Sequence, residues 1–171
     1  MKKALLVIDV QYDYMSQGKF PLWEDRACLA QVLDAIDRAK AKDYPIILIQ
    51  HVADPKLGLA PFFIEDTEGV EILTEVKVRV PDAPIVVKHY ADAFVETTLN
   101  TVLEELDVNE LLICGMMTQN CVTHTAISNK KNKAYTVSVL KDACTTVSEP
   151  IHLIALAALS TWVPLIGNSE I

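Results

Sequence analysis

The chain of 171 residues is 51% hydrophobic and 22% charged, which is a globular composition with material for one sizeable core and too little for two ordinary domains. Its net charge of −8 and pI near 4.9 argue against nucleic acid or an anionic membrane as the main partner. No apolar run approaches the length of a membrane span, and the four cysteines (Cys28, Cys114, Cys121, Cys144) have neither C-x-x-C spacing nor the density of a disulfide scaffold, so a reduced, cytoplasmic protein is expected.

Taken in order, Lys3–Ile8 reads as a buried strand that ends at Asp9. The early acid marks a strand rather than the apolar part of a signal peptide. An acid at the carboxyl end of an apolar strand is where open α/β sheets place ligand-facing groups. Tyr12–Trp23 is an aromatic loop with Gly18 and Pro21. Glu24–Lys42 is an amphipathic helix with Ala27, Leu29, Val32, Leu33, Ile36 and Ala39 on its apolar side; Cys28 lies within it and is assigned to packing or the surface. Tyr44-Pro45 ends that helix and Ile46–Gln50 is the second buried strand. The stretch from His51 to Gly69 has no clear periodicity, and loops of that length are usually functional or hide short elements. Thr74–Val80 alternates valine with charge, which predicts a short exposed strand.

Pro84–Lys88 reads as a third core strand with a lysine at its end. Thr97–Leu106 is a helix with Leu99, Val102, Leu103 and Leu106 inward. Leu111–Cys114 has the length of a buried parallel strand. Gly115 is expected to break it, and Thr118 to cap a helix that runs to about Asn132 with Cys121, Val122, Thr125, Ala126 and Ser128 inward. Lys130-Lys131-Asn132-Lys133 is then the solvated end of that helix. Ala134–Leu140 is the next strand, Ser148 caps a helix over Ile151–Ser160, and Thr161–Ile166 is a final edge strand. Strands alternate with helices throughout, without repeat or linker. This predicts one α/β domain over residues 1–171, with a doubly wound, mostly parallel six-stranded sheet and helices on both faces.

Three groups of different chemistry stand at or just past strand ends: Asp9, Lys88 and Cys121. In a doubly wound sheet those ends meet at one crevice. With Thr118 as cap, Cys121 sits in the first helical turn, where free N–H groups and the helix dipole favour a thiolate. A carboxylate can take the thiol proton, and an ammonium favours the thiolate and the charge that develops on a substrate. Residues expected around such a pocket are Gln11, Tyr12, Tyr14, Trp23, His51, Phe62, Tyr90 and Met117.

Three stretches resemble the motifs of the isochorismatase-like cysteine hydrolases, the superfamily that includes nicotinamidases and N-carbamoylsarcosine amidase. They are Leu6-Val7-Ile8-Asp9-Val10-Gln11, then Val87-Lys88-His89-Tyr90-Ala91-Asp92-Ala93-Phe94 with Thr97 and Leu99, and Gly115-Met116-Met117-Thr118-Gln119-Asn120-Cys121-Val122. The resemblance runs through essentially the whole chain. It implies Cys121 as nucleophile, Asp9 as general base, Lys88 as the charge-stabilising partner, and a non-proline cis peptide at Met116–Met117 beside an oxyanion hole built from the Met117 and Cys121 N–H groups. It also implies a small-molecule substrate, no organic cofactor and a homo-oligomer.

The chain departs from the nicotinamidases of that superfamily. They carry Asp-x-His and a further histidine after the second strand as metal ligands. Here the stretch is Ile49-Gln50-His51, with no second histidine before Phe63. One imidazole makes a poor site, so no metal is expected and His51 is a loop or pocket residue. His124, three residues after Cys121, shares its helical face and offers a Cys–His dyad, whereas the resemblance offers Asp9 as base. Cys114, Cys144 and His152 are read as structural. The leading expectation is hydrolysis of an amide or carbamoyl C–N bond through a thioester. The alternatives are isochorismate-type vinyl-ether hydrolysis without the cysteine, or a catalytically idle oligomeric scaffold.

Overall fold

In the computed structural model the alternation of strands and helices becomes a six-stranded sheet in which every neighbouring pair is parallel. Its strands are β1 (Lys3–Ile8), β2 (Ile46–His51), β3 (Ile85–Lys88), β4 (Glu110–Met116), β5 (Thr136–Thr145) and β6 (Leu165–Ile166), in the order β3-β2-β1-β4-β5-β6. The structure describes residues 2–58, 60–132 and 135–171, with 129–132 described by their backbone alone. The expected strand start at Ala134 and the lysine side chains of the 130–133 cluster lie outside that description.

Both faces of the sheet are covered, which is why the strands read as unbroken apolar runs. On β1, Leu5 and Val7 point to one side, against Val32, Ile36 and Ala39 of α1 (Asp25–Ala41) and Val76 of α2 (Thr74–Arg79). Leu6 and Ile8 point to the other, where α3 (Leu99–Glu105), α4 (Thr123–Asn132) and α5 (Glu149–Leu159) contribute Leu99, Leu103, Ala126 and Leu159. The period of two along a strand sorts these residues into two cores. Sheet building reverses direction between β1 and β4, and the carboxyl ends flanking that switch point form the crevice.

Several expected elements differ. Thr74–Val80 is not a strand: Thr74–Arg79 is helical. Val76 and Val80 are buried while Val78 is 67% exposed, so one face of a helical turn is covered, and packing overrides the β preference of valine. β3 is a sheet edge rather than a core strand, with Val86 and Lys88 inward and Ile85 and Val87 outward. The final strand is only Leu165–Ile166, because α5 continues into a last turn in which Ser160 and Trp162 donate to the Leu156 and Leu159 carbonyls. Ser148 holds the N-cap position without a side-chain cap bond.

Gly115 does not end its strand. It lies inside β4 at φ +119°, opposite a register shift against β5. A Cβ there would stand 2.0 Å from the Ile8 carbonyl oxygen of the neighbouring strand. Only glycine lets the two backbones pass this closely beside the crevice. Gly115→Ala is therefore expected to cost about 3 kcal/mol or more of folding stability, read as a lowered denaturation midpoint. An unchanged midpoint would refute the close approach.

Candidate active site

Asp9 follows β1 at a left-handed φ of 51°, held by its own N–H on the Ile49 carbonyl and by the Gln11 N–H on its carbonyl. Its carboxylate is fully buried, as is Lys88 at the end of β3, and Cys121 is 1% exposed. Lys88 Nζ lies 2.8 Å from Asp9 Oδ2 and 3.2 Å from Cys121 Sγ. It also meets His51 Nδ1 at 2.9 Å and donates to the Tyr90 carbonyl at 3.1 Å. The contact with Asp9 is an ion pair rather than a directed hydrogen bond. Neither carboxylate oxygen has a hydrogen-bond partner among the described residues, which leaves lone pairs open to a proton.

Cys121 sits in a π-helical turn, Thr118–Val122, that leads into α4. Thr118 does not cap this turn. The N-cap is Met117, and the Thr118 hydroxyl bonds His152 Nδ1 of α5 at 2.9 Å. The Met117 carbonyl instead accepts from the Asn120 and Val122 N–H groups. The peptide bond between Met116 and Met117 is cis. His124 is exposed while Cys121 is buried, so the spacing of the two in sequence does not produce a Cys–His dyad.

The electrostatics follow from dryness. Burial pushes the Cys121 thiol well above the ordinary range, Asp9 adds to this, and Lys88 opposes both. Burial works against the Lys88 charge, but Asp9 and then Cys121 outweigh it and hold its pKa above the usual lysine value. His51 is lowered to about 4, first by burial and then by Lys88, so its imidazole is neutral at physiological pH. With Lys88 donating to Nδ1, the ring proton lies on Nε2. The resting site is an ion pair, a neutral thiol and a neutral imidazole.

Asp9, His51 and Cys121 present donor atoms within 4.8 Å of one another, a spacing that invites a metal ion. The lysine ammonium already touches all three, at 2.8, 2.9 and 3.2 Å. A divalent cation would have to share that space with a fixed positive charge, so these residues do not fit a metal centre.

Residues 3–168 match the family model described as the isochorismatase domain. The chain belongs to the isochorismatase family. As such it is an isochorismatase-family hydrolase, and it is 33% identical to the isochorismatase family protein YddQ of Bacillus subtilis (strain 168) over 99% of this chain and 98% of that one. It is 30% identical to Nicotinamidase 3 of Arabidopsis thaliana over 92% of this chain and 80% of that one. An isochorismatase hydrolase from Oleispira antarctica superposes with a TM-score of 0.87 at 27% identity, covering 99% of this chain and 95% of that one. No helix among the described residues is long and apolar enough to cross a membrane.

Not every residue expected at the family's crevice lines it. A cavity of about 230 Å³ opens beside Cys121, walled by Tyr14, His51 and Phe62 and also by Asn120, His89 and Asp54. Sequence reasoning passed over these last three because no periodicity reaches the loop after β2, the segment after β3 or the turn ahead of the cysteine. Gln11 stands behind the wall, where it accepts from the His51 N–H and donates to the His51 and Val70 carbonyls. Tyr12 bonds Thr74 and lines a different hollow. Trp23 faces a separate groove with His152, and Tyr90 contributes its carbonyl rather than its ring. Met117 is buried but does not line this cavity.

The aromatic wall has its own anchor. Asp13, 2% exposed, accepts from the Phe63 N–H at 2.7 Å and the Lys19 N–H at 3.2 Å. A Cβ on Gly69 would stand 2.1 Å from its carboxylate. Tyr14 and Phe63 then meet edge-on at 4.5 Å, with Phe62 at 5.4 Å from Tyr14. Asp13→Ala leaves the Phe63 N–H unpaired, at a cost of about 1–3 kcal/mol. It should also speed hydrogen exchange over residues 60–70, and unchanged exchange there would contradict the anchor.

Proposed function

We propose that this chain hydrolyses an amide or carbamoyl C–N bond of a small molecule, with Cys121 as nucleophile, Asp9 as general base and Lys88 as the cation that organises both. The observation that carries the reading is the single ammonium within 2.8 Å of a carboxylate and 3.2 Å of the Cys121 thiol, behind the point where that thiol lines a cavity beside the switch point. The relative named Nicotinamidase 3 supports amide chemistry as the class.

The thiol is neutral at rest, so its proton leaves as the bond forms. Cys121 Sγ attacks the carbonyl carbon, and Asp9, with unpartnered carboxylate oxygens, takes the proton. Lys88 offsets the negative charge that grows nearby, and the Met117 and Cys121 N–H groups receive the substrate oxygen. Asp9 then returns the proton to the departing nitrogen, which leaves as ammonia or an amine. A thioester remains on Cys121. Water, deprotonated by Asp9, attacks the thioester carbonyl, the C–S bond breaks, Asp9 returns the proton to Cys121 Sγ, and the acyl group leaves as a carboxylic acid, or as a carbamic acid from a carbamoyl substrate. His51 faces this sequence as a neutral donor through Nε2–H and orients a polar substituent of the substrate. No metal enters the cycle.

A cavity of about 230 Å³ lies at the small end for ligand sites, which suits a compact, partly aromatic substrate. Its described lining carries Asp54 and no lysine or arginine. A dicarboxylate of the isochorismate type would lack a cationic partner there, which places vinyl-ether hydrolysis second.

Ammonia or amine release from a panel of small amides and carbamoyl compounds tests the reading. Cys121→Ala is expected to keep the fold and lose at least about a thousandfold in rate. Retained turnover in Cys121→Ala, with loss in Asp9→Asn, would establish the cysteine-independent reaction. Inertness of the wild type toward both substrate classes would leave an idle scaffold.

A further inference from the structure

Charge on the wall of the Cys121 cavity is one-sided. Behind the thiol, Lys88 and Asp9 offset each other at 2.8 Å, and the thiol and the His51 ring are uncharged at neutral pH. Tyr14, Phe62 and Asn120 add no charge. Asp54 is the one carboxylate of the described lining, which holds no lysine or arginine. This residue is half-buried and fixed from two sides. It holds the N-cap of a short helical turn, Pro55–Leu57, where its side chain accepts the Lys56 N–H at 2.9 Å. The residue before it, Ala53, donates its N–H to the Phe63 carbonyl at 2.9 Å, which ties Asp54 to the aromatic wall that Asp13 anchors. The capping bond takes Oδ1 alone. No lysine, arginine or histidine among the described residues forms an ion pair with this carboxylate. His89, on the same wall, gives its Nδ1–H to the Val52 carbonyl.

We propose that Asp54 sets the specificity of this site by pairing with a protonated amine on the substrate, so that the molecules hydrolysed are small amides with an ammonium group away from the scissile carbonyl. The inference rests on the amide hydrolysis proposed above. A half-buried carboxylate loses water when a substrate fills the cavity, and a neutral substituent would leave its charge without a partner. A carboxylate on the substrate would meet like charge. A cation satisfies the second oxygen and also suits the neighbouring rings of Tyr14 and Phe62, whose faces attract positive charge. One carboxylate is too few ligands for a metal ion. The approach is biased the same way: residues 52–70, which wall the cavity, carry Asp54, Glu65, Asp66 and Glu68 against Lys56 alone, in a chain of net charge −8. Such a field draws small cations toward the site and repels anions.

Three probes of like size test this at about pH 8, where an alkylamine is still protonated: 4-aminobutanamide, the neutral pentanamide and the anionic succinamate. Ammonia release is expected to give 4-aminobutanamide a kcat/KM about tenfold above pentanamide, the scale of one charge-assisted hydrogen bond, with succinamate lowest. In Asp54→Asn the first two should differ by no more than about twofold. Asp54→Ser, which keeps a capping oxygen without the charge, decides the matter if Asp54→Asn fails to fold by circular dichroism. Equal values in the wild type, or a preference that survives the substitution, overturn the proposal and leave amide hydrolysis standing. Calorimetric binding to Cys121→Ala separates recognition from chemistry. Tighter binding of 4-aminobutanamide than of pentanamide, lost when Asp54→Asn is added, upholds the role of Asp54 even where the wild type releases no ammonia. Equal affinities, or no binding of either, overturn it.

Discussion

The site depends on one buried ammonium. Lys88 lies at the end of an edge strand with no exposed surface, and an isolated charge in such a place would neutralise or disrupt the fold. It stays charged because Asp9 stands at 2.8 Å, while His51 Nδ1 and the Tyr90 carbonyl take further protons of the same group. A pair of this kind adds little net stability, yet removing one partner typically costs about 3–5 kcal/mol. The arrangement is therefore held together by mutual need: the strand ends, the left-handed backbone at Asp9 and the Gln11 clamp on His51 all serve to bring these groups to one point.

The same dryness settles the state of Cys121. From the sequence, a cysteine in the first helical turn promises a thiolate stabilised by the helix dipole. That effect is worth about 0.3–1 kcal/mol, and at most about 2. Full burial raises a pKa by several units, each worth about 1.4 kcal/mol. Asp9 and Lys88 already cancel each other, so a thiolate would add an uncompensated charge to the pocket. Burial wins, and the thiol keeps its proton until a substrate arrives. This gives Asp9 a task that a preformed thiolate would not leave it.

Much of this was legible in the chain. Apolar runs marked β1, β2 and β4, and Asp9, Lys88 and Cys121 stood out as charged or nucleophilic groups at or just past strand ends, where the parallel topology brings them together. What was not legible has physical causes. Thr74–Val80 alternates like a strand, but only tertiary contact reveals that Val76 and Val80 share a buried face of a helical turn. Gly115 looks like a strand breaker until the Ile8 carbonyl is seen against it. Thr118 has the chemistry of an N-cap, but His152, far along the chain, claims its hydroxyl. Gln11, Tyr12 and Trp23 lie close to Asp9 in sequence, yet the loop turns each of them away from the cavity, and nothing local records those turns.

The most direct test of the central claim, that Lys88 and Asp9 together hold a protonated thiol in a dry site, is the pH dependence of Cys121 alkylation by iodoacetamide, followed by mass spectrometry. In the wild type, labelling should be slow at neutral pH and rise toward the alkaline side. Asp9→Asn removes the negative charge that holds the proton on sulfur, so labelling at neutral pH should accelerate. Lys88→Met removes the opposing cation and should slow it further. A wild-type thiol that titrates at or below the ordinary range of about 8.5–9, indifferent to both substitutions, would contradict the account.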